Sequence, residues 1–170
     1  GVLAMRKIGK TPIACAYNLW LLYRNPQEQI LHSSASARLA EDSVLLERRW
    51  IEIVPFLKHL KPRPRSISKD RDNVSRFDVG CANTALLHSP SVTAVGITGQ
   101  LPGTGASHIN PDDVETGENT LTRAGRALLL KRAEEYEHLA FADADILYVG
   151  TPHHEESIYR ELENLGYVFR

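Results

Sequence analysis

The run Val92-Thr93-Ala94-Val95-Gly96-Ile97-Thr98 is short, apolar and rich in β-branched residues, the pattern of a strand buried on both faces. Pro90 stands before it. Gly99-Gln100-Leu101-Pro102-Gly103-Thr104-Gly105 follows as a loop of little side-chain bulk, and then an acidic segment, Pro111-Asp112-Asp113-Val114-Glu115. Thr120 to His138 reads as a helix capped by Asn119 or Thr120, with Leu121, Gly125, Leu128, Leu129, Ala133 and Tyr136 along one side,. A second strand is expected over Leu139 to Val149, then a helix from His153 to Leu165 stopped by Gly166,. Phe77 to His88 suits a short helix ahead of the first strand. Helices and strands that alternate in this way predict an α/β (α+β) fold, a small mixed sheet flanked by helices.

Towards the N-terminus the strand pattern gives way to helical spacing. Thr11 and Pro12 open a helix that runs through Leu19, Trp20, Leu21 and Leu22 to Tyr23, with Asn25 and Pro26 beyond it,. After a Ser-rich stretch at Ser33 to Ser36, the apolar spacing of Leu39, Val44, Leu45, Trp50, Ile51 and Val54 predicts an amphipathic helix over Ala37 to Val54,. The segment Lys61-Pro62-Arg63-Pro64-Arg65 through Asp72 is basic, poor in apolar residues and broken by proline, as a connection would be,. The expected organisation is a helical N-terminal region (1–60), a linker (61–73) and an α/β domain (74–170).

Length and composition narrow the classes. A chain of 170 residues with 42% hydrophobic and 24% charged residues has the balance of a globular domain, which argues against general disorder or a coiled coil,. Its net charge of -1 supplies no global field towards nucleic acid or an anionic membrane, so any basic site must be local,. Cys15 and Cys81 make no disulfide framework, and the longest apolar stretch falls short of a bilayer span,. The expectation is a cytoplasmic protein without a membrane partner.

Chemistry concentrates in the acids. Along a strand, alternate side chains share a face, so Asp143 and Asp145 lie together, and the same rule pairs Asp113 with Glu115,. Like charges set side by side among apolar residues call for a cation or a bound proton, and the obvious cation is Mg2+, the hard ion that prefers carboxylate oxygens. Two acid-bearing strands side by side can hold two such ions roughly 4 Å apart, an arrangement suited to phosphoryl or nucleotidyl transfer. The loop after Thr98 can bring backbone amides to an anion, although it has neither GxxxxGK[ST] nor GxGxxG,.

In this order of parts the sequence resembles the nucleotidyltransferase superfamily of the DNA polymerase beta type, over about residues 77–150. Val92 to Ile97 looks like that family's strand, Thr98-Gly99-Gln100 like its glycine signature, Asp113-Val114-Glu115 like its acidic pair, and Asp143 or Asp145 like its third acid. Gln100, Thr98 and Thr116 depart from the usual residues. The resemblance implies Mg2+-dependent transfer of a nucleotidyl group from an NTP to a protein, RNA or small-molecule hydroxyl. Gly99 and Gln100 would hold the phosphates, with Arg123, Arg126, Lys131 and Arg132 as further candidates. Asp113, Glu115 and Asp143 would bind metal, and Asp143 or Asp145 would position the acceptor.

Two other readings compete. Cys81, at an expected helix start, and His108 supply a thiol and a base for a hydrolase, similar to papain-like enzymes only in that order,. Alternatively Trp20, Tyr23 and Trp50 make the N-terminal helices the working surface of a non-catalytic binding protein or a homo-oligomer. The run His153-His154-Glu155-Glu156 has adjacent histidines that point in different directions on a helix, which suits an exposed start better than a metal site,.

Overall fold

The computed structural model describes residues 1–5, 8–64, 66, 68, 70–101, 103 and 105–169, with residue 85 described by its backbone. The chain is α/β: a mixed five-stranded sheet and a small two-stranded one, with helices on both faces. In chain order the elements are β1 (Val2–Leu3), α1 (Lys10–Arg24), β2 (Ile30–Ser34), α2 (Ala37–Ile53), β3 (Arg76–Phe77), β4 (Val92–Gly96), β5 (Ala106–Pro111), α3 (Arg123–Leu139), β6 (Ala140–Ile146), β7 (Val149–Gly150) and α4 (Ile158–Asn164). The large sheet runs β3-β4-β2-β5-β6, parallel except for β3. The small sheet pairs β1 with β7 in parallel, and a parallel bridge from Asp112 to Val149 links it to the end of β5.

The strand at Val92 and the β6–β7 stretch stand where the sequence puts them, and α3 does so except at its start, which is Arg123 capped by Thr122 in place of Asn119 or Thr120. Ser36 caps α2 by accepting from Leu39 N at 3.3 Å, and Ala40, Val44 and Ile51 form its buried stripe. Elsewhere the structure differs. Residues 77–88 form no α-helix: Phe77 ends β3, and only a 3₁₀ turn occurs at Thr84–Leu86. The Ser-rich stretch begins with the last two residues of β2, which lies between β4 and β5, so the residues expected as a helical preface contribute the sheet's central strand. All five residues of β2 are buried.

Alternation along β2 separates two cores. Ile30 packs with Leu19, Leu22, Val44, Ile51 and Val92 under α1 and α2. Leu31 packs on the other face with Ile109, Leu129, Tyr136 and Tyr148 under α3 and α4. Between α1, α2 and the sheet lies a buried polar group: Asn18 Nδ2 donates to Glu47 Oε1 at 2.7 Å, and Asn110 Nδ2 donates to Asn18 Oδ1 at 3.2 Å. Among the described residues, no helix is long and apolar enough to cross a membrane.

Candidate functional site

Parallel strands carry their crossovers away from their carboxyl ends, and in such sheets ligands bind outside those ends. Here β1, β5 and β7 end together. From β1 the chain turns through Gly9, whose φ of 87° belongs to the left-handed region that glycine enters without strain, and α1 begins at Lys10,. Among the described residues, a Cβ on Gly9 would meet nothing within 4 Å, so none of them crowds the helix start. The backbone N–H groups of a first helical turn lack partners within the helix and carry its positive end, which suits an anion.

Lys10 is pinned over this turn although its side chain is only 6% exposed. Its Nζ donates to Ala4 O and Met5 O at 3.1 Å each and to Thr151 Oγ1 at 2.7 Å. Thr151 Oγ1 in turn donates to Ala4 O at 2.9 Å. Across the space, Asp113 Oδ1 lies 3.6 Å from Lys10 Nζ. Asp112 N donates to Ser33 O at 2.7 Å and Asp113 N to Val149 O at 2.8 Å, so backbone bonds hold both acids against neighbouring strands. Asp112 is buried, and among the described residues its Oδ1 has no hydrogen-bond partner. Burial pushes its carboxyl up to about 6 and neighbouring Asp113 adds to this, while a hydrogen bond with Thr11 and the Lys10 charge act in the opposite direction.

Sequence reasoning missed this site. Its signal is Ala4-Met5-Arg6-Lys7-Ile8-Gly9-Lys10-Thr11, which is the phosphate-loop pattern GxxxxGK[ST] with alanine in place of the first glycine,. Residues 6 and 7 lie outside the described ones. The lysine, the Thr hydroxyl and an aspartate at the end of a nearby strand are the parts such loops use on phosphate and its metal.

The residues expected to form the site are dispersed among several elements. Gly99 and Gln100 are exposed in the turn after β4, where Gly99 N donates to Gly96 O at 2.9 Å. Arg123 is exposed at the start of α3; Arg126 pairs with Glu156, and Arg132 with Glu135. Asp143 and Asp145 are exposed on β6, where they line a groove of about 560 Å³ with Asn25, Glu28 and His108. Glu115 is buried and accepts from Ile158 N at 2.7 Å, Ser157 Oγ at 2.9 Å and His153 N at 3.1 Å, so its oxygens anchor the approach to α4. Among the described residues, no three His, Cys, Asp or Glu side chains gather closely enough to hold a metal ion. Of the expected acids, Asp113 alone faces Lys10, and the acid beside it in the site is Asp112. The expected pairing of Asp113 with Glu115 assumes a strand, but β5 ends at Pro111 and Asp113 takes a φ of 44°.

The thiol reading also fails on its chemistry. Cys81 is exposed, and desolvation raises its thiol, the opposite of activation,. His108 is buried in β5 with its ring against Tyr17, and burial lowers it to about 4. His153 and His154 precede α4, and His154 Nδ1 accepts from Glu156 N at 2.9 Å.

No family model matches the chain. The large terminase subunit of Enterobacteria phage T3 is 43% identical to it over 168 residues. That alignment takes in 97% of this chain and 28% of the phage protein, so the chain spans little more than a quarter of its relative's length. This similarity overturns the resemblance to the polymerase beta type, and with it nucleotidyl transfer, the thiol hydrolase and the non-catalytic binding protein. Along nearly its whole length, the chain is similar to a segment of a phage terminase large subunit.

Proposed function

We propose that the chain is the nucleotide-binding portion of a terminase large subunit, hydrolysing a nucleoside triphosphate to drive viral DNA packaging. The observation that carries this reading is the convergence of Gly9, Lys10 and Thr11 with Asp112, Asp113 and Thr151 at the carboxyl ends of three strands, in a chain similar to that protein. The triphosphate and Mg2+ expected from the sequence are kept, on different residues.

Lys10 grips the β- and γ-phosphates once its donors are released from Ala4, Met5 and Thr151,. The unpartnered Oδ1 of buried Asp112 and the Thr11 hydroxyl bonded to that carboxyl are oxygen donors that fit Mg2+,. Bound there, the ion would offset charge on the terminal phosphates during in-line attack. Asp113 orients the attacking water, and Thr151 stands beside Lys10 where the terminal phosphate would lie. Burial of Lys10 and Asp112 strengthens their electrostatic contacts,.

Binding of a fluorescent ATP analogue with and without Mg2+ tests the proposal. Lys10→Ala should weaken affinity by about 100-fold, the loss of a charge-assisted contact of about 3 kcal/mol. Equal affinity in the variant, or no binding by the parent chain, would refute the reading.

A further inference from the structure

Glu115 follows the site's acids by two residues, yet its hydrogen bonds go to the segment before α4: His153 N, Ser157 Oγ and Ile158 N. That segment begins at Thr151, which accepts from Lys10 and donates to Ala4. The strap of residues 151–158 is therefore tied to Lys10 at its first residue, Thr151, and to Glu115 at His153, Ser157 and Ile158. Beyond it, Tyr159 lies over Gly150 so closely that a Cβ there would stand 1.9 Å from the tyrosine hydroxyl. Ile158, Tyr159 and Leu162 then enter the core beneath the sheet.

An ammonium has three donors, and Lys10 directs its own to Ala4, Met5 and Thr151,. Phosphate can engage Lys10 only by taking donors from these groups. Thr151 is the one that begins the strap, so occupancy of the site changes the hold on its first residue while Glu115 keeps residues 153–158 in register. We infer that Glu115 is a positioning residue that couples nucleotide occupancy to α4 through the 151–158 strap. The inference rests on the nucleotide reading above and adds to it the element that moves.

Hydrogen exchange on the full chain, with and without the Mg2+ complex of a non-hydrolysable ATP analogue, tests it. In the parent chain the analogue should change exchange at the 4–11 loop and, by about threefold or more, at residues 151–162. In Glu115→Ala the loop should still respond, with affinity within about threefold of the parent, and the response at 151–162 should be lost. Should that variant fail to fold, Ser157→Ala removes one of the bonds and should diminish the response, while Ser157→Thr keeps a hydroxyl and restores it. A response at 151–162 that persists in Glu115→Ala and Ser157→Ala, or one absent from a parent chain whose loop is protected, overturns the coupling. Absence of protection at the loop itself overturns the nucleotide reading, and the coupling with it.

Discussion

Glu47 should make this fold lose stability as the solution becomes more alkaline, and Glu47→Gln should abolish that loss. The side chain is fully buried between α2 and α1; its Oε1 accepts from Asn18 Nδ2 at 2.7 Å and, among the described residues, its Oε2 has no hydrogen-bond partner. Burial raises its pKa from 4.5 to about 8, although the hydrogen bond from Asn18 pulls the other way. Below 4.5 the carboxyl is protonated in folded and unfolded chains alike, and its stabilising contribution is fully present,. Between 4.5 and about 8 the unfolded chain releases the proton while the folded chain keeps it, so stability falls with each pH unit,. At about 1.4 kcal/mol per unit the window amounts to roughly 5 kcal/mol, a large part of the about 5–15 kcal/mol that holds a domain together. Glutamine accepts the same bond and never ionises. Urea denaturation of both proteins from pH 5 to 8.5 is the assay, and titrations common to both, such as that of His32, cancel in the difference. The curves should meet near pH 5 and separate by several kcal/mol near pH 8, with the variant more stable. Parallel curves, or a variant less stable at pH 8, would refute a buried neutral Glu47.

Two other positions give independent checks. Gly150→Ala places a methyl group 1.9 Å from the Tyr159 hydroxyl and should cost about 3 kcal/mol or more in denaturant unfolding, since both residues are buried,. Arg71 binds Asp78 at 2.8 Å and also donates to the carbonyls of Leu87, His88 and Ser89. Arg71→Ala leaves Asp78 buried without its guanidinium and should cost about 3–5 kcal/mol by the same measurement, whereas Arg71→Ala with Asp78→Asn should recover part of it.

What could be read from the sequence followed the chemistry of burial. β4, with its apolar run, and α2, with a serine cap and a spaced stripe, were legible because their side chains obey the hydrophobic pattern,. β2 and β5 break that pattern: His32, Ser33 and Ser34 in one, His108 and Asn110 in the other, are all buried. Their partners come from distant elements, Tyr136 bonding Ser33 at 2.5 Å, Asn18 lying 3.3 Å from His32 and accepting from Asn110. A local window over Ser33–Ser36 contains no sign of those partners, so it reads as polar loop. The site was hidden for the same reason in reverse. Its loop carries a recognisable spacing, but Ala4 stands where the pattern has glycine, and the acid that completes it is more than a hundred residues away at Asp112. Pairing acids by strand alternation selected Asp113 with Glu115 because it treated the acidic segment 111–115 as extended throughout. The left-handed turn at Asp113 separates the roles of the three acids. Asp112 stays buried beside Thr11, Asp113 faces Lys10, and Glu115 turns towards α4. One acidic segment thus serves both the phosphate loop and the helix beyond it, and this division of labour is a property of the backbone that residue spacing alone does not encode.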